Sequence, residues 1–251
     1  MRAPLDTHNH LKGWSDGRQT LSELMSLARE KGVRVGVSDH AGRTDHLSTR
    51  ERLLEYADFL SSHPVARGIE MDLDRPLTLD EDVRARFDYV IGSVHGVTVS
   101  GRRVSFSKTF GSIQGKTGYD PREEVPRMED LLHAHLELLD TEFSRQRYDI
   151  LGHGTVLPPL VLGPPEEVFP SWWEDGLIAL LGRHGVAVEI SNRWKTPYER
   201  LLGKCLHAGL RFSLGSDGHD GKRSCRLDYP LAMKEQHRIP QDRFIDVERI
   251  P

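Results

Sequence analysis

Short, nearly continuous apolar runs alternate along this chain with longer segments whose apolar residues recur every three or four positions. The first kind predicts buried strands and the second predicts helices packed by one face. After an opening strand at Leu5, residues 20–31 set Leu21, Leu24, Met25, Leu27 and Ala28 at helical spacing, and Gly32 stops the helix. Residues 33–40 form a second strand ending in Asp39-His40, and residues 49–61 a helix with Leu53, Leu54, Ala57 and Leu60 on one face. Strands follow at 65–71, carrying Glu70, and at 87–95, ending in His95. Residues 97–121, rich in Gly, Ser and Thr, predict a long loop or hairpin excursion. The remainder predicts a helix over 123–145, a strand over 148–151 before His153, and a helix over 171–184. A strand over 186–190, a helix over 197–207 and a strand over 211–214 before Asp217 complete the pattern. Regular strand–helix alternation predicts an α/β fold, with a parallel sheet and helices outside it.

Composition narrows this picture. The 251 residues suit an α/β barrel running as one domain over 1–251, since no composition shift or repeat marks a boundary. A net charge of -4 without a Lys/Arg block argues against nucleic acid as a partner. Cys205 and Cys225 are far apart and form no Cys-x-x-Cys, which suits reduced thiols. No apolar run approaches the roughly 20 residues that span a bilayer. A strand beginning by Leu5 leaves no room for a signal peptide, so the expected location is cytoplasmic.

Candidate chemistry sits where the strands end. His8 and His10 are two apart, so an extended strand aims both imidazoles the same way. Asp16, His40, Glu70, His95, His153, Asp217 and His219 fall at or just past other strand ends. In an α/β barrel that is the face where catalytic groups collect, and converging imidazoles and carboxylates are transition-metal ligands. His133 and His135 repeat the His-x-His spelling on a predicted helix, where such residues diverge, and are assigned to its surface. His46, His63, His184, His207 and His237 are read as solvated structural residues.

These motifs resemble the PHP (polymerase and histidinol phosphatase) family of metal-dependent phosphoesterases. The resemblance covers residues 5–225. It rests on His8-Asn9-His10 followed by Ser15-Asp16-Gly17, then Ser38-Asp39-His40, Gly68-Ile69-Glu70, Gly92-Ser93-Val94-His95, Ile150-Leu151-Gly152-His153 and Gly215-Ser216-Asp217-Gly218-His219. It implies a distorted (β/α)7, TIM-like barrel holding two to three divalent metal ions (Zn, Mn or Fe). It further implies that His8, His10, Glu70 and Asp217 hold one metal, and that Glu70, His95 and His153 hold a second, with Glu70 bridging. Asp16, His40 and His219 would hold the third. Asp16 is a His in some relatives, and its harder oxygen would favour Mn or Fe there over Zn.

The resemblance implies a hydrolase that cleaves a small phosphomonoester with metal-activated water, histidinol phosphate being the leading single substrate. Glu70 and Asp217 would be central to catalysis, and Asp39 would orient a His ligand or protonate the leaving group. Phosphate oxygens need basic partners, and Arg193, Arg43, Lys195 and Arg223 follow strand ends at suitable places, Arg193 being the first choice. Trp14 and Trp194 would either wall the pocket or pack beneath loops, whereas Trp172 and Trp173 start a helix and suit packing. The segment 191–197 lacks the longer Gly/Arg-containing loop of the histidinol-specific branch. Phosphodiesterase or nuclease activity is the alternative within the family. Amidohydrolases also open with His-x-His, but expect Lys or an acid where His95 stands and His where Ser191-Asn192 stands. A metal-binding module without catalysis fits poorly with a complete ligand set.

Overall fold

Seven short strands close into a parallel barrel in the computed structural model, which describes residues 2–247. Among the described residues the strands are β1 (Leu5–Asp6), β2 (Arg34–Val37), β3 (His40–Ala41), β4 (Ala66–Asp72), β5 (Tyr89–Ser93), β6 (Gly96–Val99), β7 (Arg102–Ser105), β8 (Ile150–Gly152), β9 (Ala187–Ser191) and β10 (Phe212–Gly215). Around the barrel the order is β2, β1, β10, β9, β8, β5 and β4, and β4 pairs back onto β2 to close the ring. Each barrel strand is covered on both faces, so its residues are buried almost throughout. The TIM-like expectation is met.

Strand β3 continues β2 after an interruption at Ser38 and Asp39, whose backbone N–H groups turn to Asn9 O and the Tyr56 hydroxyl. Beyond the break β3 pairs with β4, setting His40 opposite Glu70.

The helices are α1 (Leu21–Lys31), α2 (Arg50–Ser61), α3 (Glu81–Arg84), α4 (Ser107–Ile113), α5 (Met128–Arg145), α6 (Pro165–Val168), α7 (Ser171–His184), α8 (Glu199–His207) and α9 (Asp228–Gln236). Helix α1 begins with a capping box between Thr20 and Glu23 and ends at Gly32, whose φ of 63° a side chain would resist. The larger apolar core lies between helices and barrel, with Trp173, Tyr56 and Phe212 fully buried in it. A smaller cluster of Leu5, Ala66, Tyr89, Ile91 and Ile150, contributed by strands alone, fills the end of the barrel where strands begin.

Two expectations need correction. The helix predicted over 123–145 starts at Met128, because Pro126 has no N–H to donate and its ring obstructs a helix interior. His135 is not on a helix surface but wholly buried beside Trp173, while His133 is exposed and stacks on Trp172. Helix α9 was not predicted, its apolar pattern being weak. The excursion over 97–121 is indeed a hairpin, β6–β7, turned at Ser100-Gly101 with positive φ at both residues, and continues into α4.

Candidate metal centre

The two chain regions with the most donors are stitched together beyond the barrel's rim. Past β1, His10 N–H donates to Gly218 O (2.8 Å) and Gly218 N–H to His8 O (3.1 Å), so His8 and His10 face Asp217 and His219. Asp6 ties the same junction from beneath, accepting from Ser216 N–H (2.8 Å) and Cys225 N–H (3.1 Å). Asp217 and His153 both adopt left-handed backbone, with φ of 49° and 30°. Residues other than glycine pay for that conformation, and such strain gathers at functional sites.

Glu70 is the hub. Its Oε2 lies 2.9 Å from His40 Nδ1, 3.2 Å from His8 Nε2 and 3.6 Å from His10 Nε2. Its Oε1 lies 3.1 Å from His153 Nε2 and 3.9 Å from His95 Nε2. Asp217 Oδ1 stands 3.5 Å from His10 Nε2 and 3.3 Å from His219 Nδ1. Asp16 Oδ1 stands 3.1 Å from His219 Nε2 and 3.6 Å from His40 Nε2. Every residue named as a ligand from the sequence is therefore brought to one place. The donor groupings differ from those the resemblance implied: His10, Asp16, His40 and His219 form one, His8, His10 and Asp217 another, and His40, Glu70 and His95 a third.

The donor chemistry fits divalent cations. His8 Nε2, His10 Nε2 and Glu70 Oε2 are buried without a hydrogen-bond partner, although they lie close together. Such orphaned atoms cost free energy unless a proton or cation stands between them. Burial pushes the Glu70 carboxyl up, but the charges of His40 and His8 and the close approach of the His153 and His40 imidazoles hold it well below the usual range. Asp217 is likewise held well down: burial is outweighed by the adjacent His10 imidazole and the charges of His219, His8 and Arg193. Burial, reinforced by His219 and His40, pushes the His10 imidazole well below its ordinary value. Asp16 is held down too, its burial outweighed by contact with His219 and the charges of His219, His40 and His10, and three carboxylates ionised among imidazoles make a mixed N/O ligand set.

A cavity of about 490 Å³ opens over these groups. Arg193 and Trp194 stand on its wall, Arg193 Nη1 reaching both Asp217 oxygens at 3.2 Å and Trp194 Nε1–H donating to Asp217 Oδ2 at 2.5 Å. The structure does not bring Arg43, Lys195 or Arg223 to the cavity. Arg43 and Arg223 sit in exposed turns, and the left-handed turn at Lys195 (φ 55°) sends its ammonium over the Tyr229 ring. Arg75 and Arg103 line the cavity instead, from the segment after β4 and from β7. His46 lies at the same cavity rather than in a purely structural setting. Trp14 packs on Tyr56 and Phe59, away from it.

Asp39 is fully buried behind the first motif, accepting from Leu11 N–H (2.7 Å), Ser15 Oγ–H (2.5 Å) and Tyr56 O–H (2.9 Å). That placement corrects the proton-donor option, because its oxygens are engaged and it does not line the cavity. It braces the loop carrying Ser15, whose Oγ is 3.5 Å from His10 Nδ1. Sequence reasoning also passed over Glu189 on β9, which contacts His8 and His153, and Asp72 on β4, whose Oδ1 is 3.4 Å from His95 Nδ1. The signal for Glu189 was present: a carboxylate inside an apolar strand run is stable only with partners.

No family model matches the chain. A curated relative named "Probable phosphatase" from Vibrio parahaemolyticus is 24% identical over 266 residues, covering 96% of this chain and 88% of the relative. The Bacillus subtilis DNA polymerase/3'-5' exonuclease PolX is 33% identical over 102 residues, covering 36% of this chain but only 18% of that protein. Among solved structures, a Listeria monocytogenes protein provisionally named histidinol phosphatase superposes with a TM-score of 0.69 at 15% identity, covering 90% of this chain and 99% of the other. The Lactococcus lactis histidinol phosphate phosphatase, solved with zinc, L-histidinol and phosphate, gives 0.63 at 18% identity, with 93% of each chain covered. The barrel is thus shared with these structures, and the resemblance to the PHP family is borne out.

Proposed function

We propose that this chain is a metal-dependent phosphatase, a hydrolase of phosphoric ester bonds acting on a small phosphomonoester. The observation that carries the reading is the gathering of His8, His10, Asp16, His40, His95, His153, Asp217 and His219 around Glu70, all but the buried His8 and His10 lining one cavity, with three buried donor atoms lacking any hydrogen-bond partner. The phosphatase names of its relatives support it.

In this reading two to three divalent cations, Zn, Mn or Fe, are held by those donors. Bound there, they supply Lewis-acid charge to the phosphoryl oxygens and lower the pKa of the attacking water. The chain's own residues do the rest. Glu70 sets the spacing of the donor groups, because five imidazoles address its two oxygens. Arg193 presents its guanidinium to the non-bridging phosphate oxygens from the wall above Asp217. Trp194 and Phe110, with ring centroids 4.9 Å apart, narrow the cavity and exclude water on the His153 side.

Histidinol phosphate is the single substrate to test first, because the structural neighbours carry that name. The short 191–197 segment argues for including other small phosphomonoesters beside it. A second reading, phosphodiesterase or nuclease, is favoured by the match to PolX. Turnover of p-nitrophenyl phosphate, its bis-ester and histidinol phosphate by metal-loaded protein separates them, and activity on the diester alone would overturn the monoesterase reading. The reading places the enzyme in the cytoplasm, in keeping with two buried unpaired cysteines. No described helix is long and apolar enough to cross a membrane.

A further inference from the structure

Glu189 is a buried carboxylate that does not line the cavity over the metal centre, yet it contacts two candidate ligand residues at once. Its Oε1 is 2.6 Å from His8 Nδ1, and its Oε2 accepts from the backbone N–H of His153 at 2.6 Å. It projects from the middle of β9, where Ser213 of β10 is its register partner and Leu151 of β8 lies opposite the preceding residue. The neighbouring strands make room for it: a Cβ on Gly215 would stand 1.8 Å from Glu189 Oε1. Apolar residues surround it on the strand, so nothing in the packing alone calls for a charge there.

We propose that Glu189 is the positioning residue of the metal centre, selecting the tautomer of His8 and holding His153 in register with it. The inference rests on the metal-dependent reading above. With Glu189 accepting at Oε1, neutral His8 carries its proton on Nδ1, because a lone pair there would face a carboxylate oxygen at 2.6 Å. The Nε2 lone pair is then free, and Nε2 is the atom that faces Glu70 without a partner. The second oxygen fixes the backbone of His153, a residue in left-handed conformation whose Nε2 lies beside the other oxygen of Glu70. One carboxylate on β9 thereby aligns ligands that approach the two sides of Glu70. Carboxylates that orient metal-binding imidazoles contribute about 10–100-fold to metal affinity or activity.

The donor count makes Glu189→Gln diagnostic. Both contacts on Glu189 are donors, and glutamine offers one oxygen and one NH2 in the same shape, so either one contact becomes donor against donor or His8 moves its proton to Nε2 and loses the lone pair that faces Glu70. Purified wild-type and E189Q protein are stripped of metal and titrated with Zn2+ and with Mn2+, reading stoichiometry, affinity and the metal-induced rise in Tm. Glu174→Gln, which alters a buried carboxylate bonded to Tyr198 and Arg200 away from the cavity, is the structural control. E189Q is expected to bind metal about 10–100-fold more weakly and to lose most of the metal-induced rise in Tm, whereas E174Q lowers the Tm of the metal-free protein only. Wild-type metal affinity and stoichiometry in E189Q overturn the proposal. Should E189Q not fold, 15N spectra of histidine-labelled wild-type protein with Zn2+ decide: His8 protonated on Nδ1 supports the proposal, and protonated on Nε2 overturns it. Metal binding is read without substrate, so a failure of the phosphatase reading leaves this test intact.

Discussion

The Nε2 of His8 lies 3.2 Å from Oε2 of Glu70, and both atoms are buried without a hydrogen bond. Residues 62 positions apart do not meet in this way by local preference; the closure of β1, β2 and β4 into one barrel brings them together. Glu70→Gln keeps the shape but removes the charge that the surrounding imidazoles and any bound cation address. Metal content and turnover should fall together, kcat/KM by about 10³-fold, or about 4 kcal/mol of transition-state stabilisation. Metal analysis beside steady-state kinetics checks this, and a fully metallated, active E70Q would contradict it.

Among the basic residues, position relative to the cavity should decide function. Arg193→Ala should raise KM for a phosphomonoester or lower kcat/KM by about 10–100-fold, the scale of a lost charge-assisted contact. Arg43→Ala, Lys195→Ala and Arg223→Ala, whose side chains are exposed away from the cavity, should stay within about twofold in the same assay.

Metal binding should compete with protons. Burial lowers the His40 pKa, but Glu70, Asp16 and Asp45 outweigh it and push the imidazole up to about 10, so it is protonated at neutral pH until a cation displaces that proton. Affinity for Zn2+ or Mn2+ should therefore rise with pH by about tenfold per unit for each proton displaced. Calorimetry in buffers of different ionisation heat should record proton release, and a pH-independent affinity would contradict this account.

His135 makes an opposite demand on pH. Burial alone pushes its pKa down to about 3, and both ring nitrogens lack partners. The unfolded chain, with an ordinary histidine, binds the proton between about pH 6.5 and 3 while the native state does not. The native state is thus unpenalised above pH 6.5 and loses about 2 kcal/mol from this residue by pH 5. His135→Leu should flatten the stability profile across that window and leave turnover unchanged. Denaturant melts at pH 7 and pH 5 test it.

Much of the site was legible because its spacing matches its structure. His8-x-His10 reads as a ligand pair on an extended segment, and the segment is held extended by Gly218. Likewise, the strand-ending positions of Glu70, His95 and His153 read correctly because apolar runs stop where the barrel does. What the sequence hid was side-chain direction and partnership. Arg43 and Lys195 follow strand ends as closely as Arg193 does, but a solvent-facing turn and a left-handed residue carry them away. Arg75 and Arg103 reach the cavity from a segment and a hairpin whose return path leaves no local signature. Asp39 looked catalytic from its neighbour His40, yet the break between β2 and β3 turns consecutive residues to different surroundings. His135 was misassigned because helical spacing says which face a residue occupies but not how deeply α7 covers it.

The most direct test is reconstitution of stripped protein. Chelation should abolish hydrolysis of p-nitrophenyl phosphate or histidinol phosphate, and adding back Zn2+, Mn2+ or Fe2+ should restore it as about two to three equivalents bind per chain, the occupancy expected of a multi-metal hydrolytic site. Undiminished turnover by protein shown to be free of metal would contradict the account.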